Sequence, residues 1–340
     1  MSEDKLPFAQ SRSWQVESVP FSRFTALSHN WKASTERFIA LRDMLSRSPL
    51  PQEIETLAAA GSLGRMEASD ASDGDIIIVV KDGTPEDRAQ AVYDDVWNRL
   101  EGVERPNATG VFSNHATEGQ LHSDSVGDPQ ESSKTLGKRL LLLLESQPLY
   151  NDEAYWSLIE RIVDQYAKNY VALDSTKEWA FLINDLIRYF RSICVSYQFS
   201  FNEQKEKWAL RNVKLRHSRL IMYSGLLFLL GEASKERKDK VSWLKRHLRY
   251  TPLERIALAY DANGDRSFHR LIGLYDVFQA ALNSEVRTKL NVEYAHRYDH
   301  PEFARLKANS DALVAELLRF VFARQANEDW SARFFEYLIF

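Results

Sequence analysis

The sequence predicts an α+β protein: a small mixed β-sheet with helices over residues 1–134, followed by an all-α helical bundle over residues 135–340. Two observations point there. Ile76-Ile77-Ile78-Val79-Val80 is an unbroken β-branched run with polar residues on either side, the pattern of a buried strand. From Thr135 onward apolar residues recur at helical spacing and little β-branched alternation remains. A chain of 340 residues is long enough for two domains with separate cores.

Residues 1–50 form a helical lead after an irregular start. Phe24, Leu27, Trp31 and Phe38 fall on one rough helical stripe, and Ser48-Pro49-Leu50-Pro51 ends it. Glu53 to Ala60 feeds a small-residue turn at Gly61-Ser62, and its alanines favour a helix by propensity alone. After the strand at 76–80, Thr84 is placed to cap a helix with Pro85 at its first position and Glu86 and Asp87 in its first turn. That helix runs to about Leu100 and buries Val92, Val96, Trp97 and Leu100. Gly110 to Asn114 reads as a short strand.

The stretch from His115 to Ser133 is rich in Gly, Ser and Asp. Its length suits a polar lid over a functional site. His115 and His122 beside Asp124 and Asp128 match no common zinc-ligand spacing. Leu136 to Glu145 is dense in leucine and opens a bundle of seven or eight helices. Leu220 to Leu230 is eleven residues long, a buried helix too short to span a bilayer. Asp261-Ala262-Asn263-Gly264-Asp265 begins like a calcium loop, but its glycine is misplaced and Ile272 stands where a carboxylate belongs, so it reads as a turn. The aromatic tail from Trp330 to Phe340 is expected to pack on its own bundle.

Composition narrows the functional classes. The net charge of -4 argues against nonspecific nucleic-acid binding by the whole surface, while a local basic groove stays compatible with it. Cys194 is the one cysteine and no disulfide can form within the chain, which fits a reducing cytoplasm. It reads as a core residue rather than a nucleophile. No secretory leader pattern opens the sequence, and no membrane association is expected.

Asp73 and Asp75 open the strand. Side chains at i and i+2 share a face, so the two carboxylates converge and repel one another unless a cation lies between them. Oxygen ligands of that charge suit Mg²⁺. Together, Gly61-Ser62, Gly64-Arg65-Met66-Glu67 and Ser72-Asp73-Gly74-Asp75 leading into an apolar strand resemble the signature of the DNA-polymerase-β-like nucleotidyltransferases. The Gly-Arg-x-Glu spacing is most similar to the branch containing the uridylyltransferases of PII signalling proteins and their uncharacterised bacterial relatives. The string from Lys138 to Asn151 is similar to the same relatives.

This resemblance implies that Gly61 and Ser62 form the phosphate turn. It also implies that Asp73 and Asp75 are catalytic ligands for two Mg²⁺ ions, with Mn²⁺ as a substitute, and that Arg65 and Glu67 orient phosphate and strand. It favours a strand before Gly61. The sequence departs from the pattern at Gly74, where the family has an apolar residue, and in lacking an obvious third carboxylate. Glu118, Asp124 and Asp128 are the candidates for that role.

A second constellation is basic. Asn184, Arg188 and Arg191 share one helical face, and Lys207, Arg211, Lys214 and Ser218 share another; Arg216 and Arg219 lie with Asn212. Arg188, Arg191, Arg211 and Lys214 are expected to bind nucleotide opposite the aspartates, since Arg and Lys complement polyphosphate. The competing reading is a solvated face with ion pairs to Asp185, Glu203 and Glu206.

The expected activity is Mg²⁺-dependent transfer of NMP or dNMP from a nucleoside triphosphate such as ATP to a hydroxyl, releasing pyrophosphate. The acceptor is a nucleic-acid or oligonucleotide end, including untemplated synthesis in bacterial antiphage defence, or a protein hydroxyl. The alternative is a catalytically silent nucleotide-binding regulator or antitoxin working with a partner protein from a defence or toxin–antitoxin pair.

Overall fold

The computed structural model describes residues 21–69, 74–106, 110–124, 126–128, 131–199, 208–235, 238–283, 285–290, 296 and 298–339. Its described residues divide into two compact units, one built from 30–185 with 238–251 and the other from 21–29, 186–235 and 252–339.

The first unit holds a mixed four-stranded sheet. Its strands are β1 (Ile54–Ala59), β2 (Ile76–Val80), β3 (Ala116–Thr117) and β4 (Gln147–Tyr150), in the order β3-β2-β1-β4. β1 is antiparallel to both β2 and β4, and β3 is parallel to β2. All five β2 residues are buried, which is why the run shows no alternation. Ile76, Ile78 and Val80 share a core with Phe38, Leu41 and Leu45 of α1 (Thr25–Ser46) and with Val92, Tyr93, Val96 and Trp97 of α3 (Glu86–Arg99). The segment before Gly61 is a strand despite its alanines. Pairing on both edges outweighs their propensity, and small side chains suit a central position that is fully covered.

The sheet unit does not end at residue 134. β4 pairs with β1 through Ala58↔Pro148 and Ala59↔Gln147, and the leucine-rich α5 (Ser133–Glu145) and α6 (Asp152–Ala167) belong to the same unit. Helical periodicity hid this strand, because it is four residues long, carries a proline and lies on a sheet edge, where a missing N–H is tolerated. Gly110 to Asn114 is not a strand. Ser113 folds back so that its N–H and its hydroxyl both donate to the Gly110 carbonyl, and β3 lies just beyond. Within the stretch read as a lid, Thr117 caps the short α4 (Glu118–Leu121) through a reciprocal capping box with Gln120. Thr84 does not cap α3. Its hydroxyl donates to the Lys81 carbonyl, and Pro85 occupies the N-cap position.

The second unit is helical. α7 (Ala180–Phe199) gives residues 180–185 to the first unit and its remainder to the second. α8 (Trp208–Lys214) passes through a π-helical turn, Leu215–Arg219, into the buried α9 (Leu220–Ser234). α9 packs on α11 (Pro252–Ala262) at Gly225, where a Cβ would stand 2.7 Å from the Pro252 carbonyl. Asp261 to Asp265 makes the turn into α12 (Phe268–Leu282), with Asp265 accepting from the Ser267 N–H. Trp330 seats its ring on Gly231 and donates to Glu232, so the aromatic tail packs within its own unit. Eleven helices follow residue 132 among the described residues, α10 (Lys240–His247), α13 (Val286–Lys289), α14 (Pro301–Ala326) and α15 (Ala332–Ile339) included, against the expected seven or eight. None of them is long and apolar enough to cross a membrane.

Candidate functional site

β1 ends at Ala59 and the chain reverses through α2 (Gly61–Gly64), a single helical turn, before returning as β2. Antiparallel register sets Ala59 opposite Ile76, and the Ala60 N–H donates to the Asp75 carbonyl at 2.8 Å. The half-buried Asp75 is thereby brought against the turn. Gly61 has φ +61°, and a Cβ built on it would stand 2.0 Å from Asp75 Oδ2. Both facts require glycine there. Gly64 is wedged as tightly, since its Cβ would lie 2.2 Å from the Glu145 carbonyl oxygen. Asp73 lies outside the described residues.

Beneath the turn sits a buried charge cluster. Arg65 Nε donates to Glu67 Oε2 at 2.7 Å, and its Nη1 donates to Glu145 Oε2. Oε1 of Glu145 accepts the Gly61 N–H at 3.0 Å. All three charged side chains are buried, so two carboxylates share one guanidinium out of water. Arg65, expected at a phosphate, is therefore turned inward as a clamp on the turn. Glu145 escaped the sequence reading. Its one signal is an acid ending a run of five leucines, a place where burial demands a cationic partner. Ser62, half-buried, stands on the turn between Gly61 and Leu63.

The three candidates for a further carboxylate are held elsewhere. In the parallel register Val79↔Ala116 and Val80↔Thr117, Glu118 falls beyond the far end of β2, roughly 17–20 Å along the strand from Asp75. It is ion-paired with Arg161. Asp124 accepts from Lys168 at 3.0 Å and Gln165 at 3.3 Å, and the Lys168 hydrogen bond foremost lowers its pKa. Asp128 lines a cavity with Gly119, Glu131 and Thr135. His115 is buried with Nε2 3.5 Å from Glu86. Among the described residues no three His, Cys, Asp or Glu side chains form a metal-binding group. The donor chemistry that does fit a hard cation is the Asp75 carboxylate over the Cβ-less Gly61.

The predicted basic residues lie in the second unit. Arg188 is half-buried and Arg191 exposed on α7, while Arg211 and Lys214 are half-buried on α8. Lys207, Glu203 and Glu206 lie outside the described residues. Asp185, the remaining acid proposed to pair with these bases, is fully buried and accepts from Tyr166 at 2.7 Å and Arg139 at 3.3 Å. The π turn redirects the next residues: Arg216 reaches Ser310 at 2.7 Å and Asp311, while His217 enters the core. His217 Nδ1 donates to the Val213 carbonyl at 2.8 Å, Nε2 accepts from Asn309 at 3.0 Å, and the ring stacks on Phe278 at 4.3 Å. Burial pulls its pKa down to about 4. Cys194 on α7 is half-buried, and burial raises its thiol pKa.

No family model matches the chain, and no curated protein matches it.

Proposed function

We propose that the chain is a nucleotidyltransferase that moves a nucleoside monophosphate from a nucleoside triphosphate to a hydroxyl and releases pyrophosphate. The observation that carries this reading is the Asp75 carboxylate set over the Gly61 turn at the head of the central strand. Asp75, with Asp73 two residues earlier, would hold Mg²⁺. When bound, the ion supplies charge neutralisation at the phosphates and acidifies the acceptor hydroxyl.

The chain's own part is positioning. The Gly61 N–H is taken by Glu145 and Leu63 is buried, so the hydroxyl and amide of Ser62 are the donors the turn offers to phosphate oxygens. The Arg65, Glu67 and Glu145 cluster holds that turn in place before substrate arrives, which is how a rigid site lowers a barrier. A bond forms from the acceptor oxygen to the α-phosphorus as the bond to the pyrophosphate oxygen breaks, and the acceptor hydroxyl's proton passes to solvent water. Arg188, Arg191, Arg211 and Lys214 would be the second unit's contribution to holding polyphosphate or a nucleic-acid acceptor.

The test is incubation of the full chain with each labelled NTP and dNTP, Mg²⁺ and a mixed oligonucleotide acceptor, with products run on a gel. A ladder or an extended acceptor, lost in Asp75→Asn, is the expected result. Label on the protein itself would assign a protein hydroxyl as acceptor. No label above that of Asp75→Asn would overturn the proposal.

A further inference from the structure

Four cationic side chains are buried in the first unit among the described residues: Arg65, Lys138, Arg139 and Lys240. Three are matched by buried carboxylates. Arg65 has Glu67 and Glu145, Arg139 has Glu131 and Asp185, and Lys240 lies 3.1 Å from Glu178. Lys138 is different. It is 1% exposed, and its ammonium donates to the amide oxygen of Asn114 at 2.7 Å. The charge that acts on it is another cation, Lys134, one helical turn earlier on α5.

This arrangement is unfavourable in three ways. Like charges at i and i+4 repel, α5 places both in its N-terminal half with no acid in its first turn, and one of them is out of water. An anion beside them would relieve all three. The donors for one are in place. An ammonium can only donate, so Lys138 fixes Asn114 with its oxygen inward and its NH₂ turned away. That half-exposed NH₂ has no hydrogen-bond acceptor among the described residues. Next to it the exposed Lys134 ammonium rests on the Ser113 hydroxyl at 3.1 Å. Ser113 and Asn114 lie on the turn just before β3, the strand that runs parallel to β2 and pairs with its Val79 and Val80.

We infer that Lys134 and the Asn114 amide, backed by the buried Lys138, bind a phosphate group, and that the polyphosphate of a nucleoside triphosphate supplies it. The second half of this assignment rests on the nucleotidyl-transfer reading; the first does not. Burial brings the Lys138 pKa down to about 8, so binding weakens as pH rises through that value.

The test is calorimetric titration of the full chain with inorganic tripolyphosphate in EDTA, then with ATP, against Lys134→Gln and Asn114→Asp. Each variant should weaken both ligands by about tenfold or more, the scale of a lost charge-assisted hydrogen bond. Asn114→Asp gives Lys138 a carboxylate, so its Tm should rise while binding falls, which separates loss of the site from misfolding. Tripolyphosphate affinity equal in wild type and both variants, or no binding by wild type, would overturn the inference. Variant-sensitive tripolyphosphate binding in a protein that transfers no nucleotide would uphold the phosphate site and remove the transfer reading.

Discussion

The Asp75 carboxylate and Gly61 are in such close contact that a single methyl group on the glycine would stand 2.0 Å from Oδ2. Gly61→Ala therefore imposes two penalties at once. The left-handed backbone costs about 1–2 kcal/mol for an L-residue, and the carboxylate must leave its position over the turn. Thermal unfolding should show a modest loss of stability, while nucleotide transfer should fall to the level of Asp75→Asn. Transfer undiminished in Gly61→Ala would separate the turn from the chemistry.

The clamp under the turn predicts a larger structural effect. Arg65→Met leaves Glu67 and Glu145 buried without their cation, a change that costs about 3–5 kcal/mol in comparable buried pairs. Arg65→Met combined with Glu67→Gln and Glu145→Gln should recover much of that loss, because neutral amides need no counter-ion. Urea unfolding of the single and triple variants measures the difference. Equal loss in both would mean that packing, not charge, governs the cluster.

How much of this was legible beforehand depends on what burial does to each residue. β2 could be read because five β-branched residues have one plausible fate, and Asp75 could be placed by counting back from it along a strand. β3 and β4 could not, since two and four residues carry too little pattern, and Pro148 argues against a strand until the edge position is known. Lys138 and Arg139 are adjacent and look alike as sequence. Only the fold gives one of them Glu131 and Asp185 and the other an asparagine.

His217 provides an acid-side prediction in the second unit. Its folded pKa of about 4 lies below the ordinary value of 6.5, so the neutral ring is the form the core accepts. Between those values the unfolded chain binds the proton and the folded chain does not. Stability is then fully present above pH 6.5 and is lost as pH falls through about 4, by on the order of 3 kcal/mol. The groups facing the ring are the Val213 carbonyl, the Asn309 amide and the Phe278 ring, with Arg216 adding repulsion to the protonated form. His217→Gln, which keeps a donor and an acceptor, should flatten the difference between melts at pH 4.5 and 7. A wild-type stability unchanged over that interval would show that the ring is not held neutral by burial.

Lys138 yields the opposite window. Its folded pKa of about 8 is below the ordinary 10.5, so below pH 8 the fold carries a buried charge that the unfolded chain keeps in water. As pH rises from about 8 to 10.5 the unfolded chain binds the additional proton, and the wild-type protein gains stability from this group over that range. Lys138→Met, close in length and without charge, removes the penalty at the outset. It should be more stable than wild type at pH 7, by on the order of 3 kcal/mol before allowance for partial hydration, and the gap should close by pH 10.5. Chemical denaturation of the two proteins across that range, in buffer without phosphate, makes the comparison. Tripolyphosphate should narrow the gap at pH 7 by stabilising the wild type more than Lys138→Met, since a ligand that binds the folded state raises its stability in proportion to ln(1 + [L]/Kd) and the variant binds it more weakly.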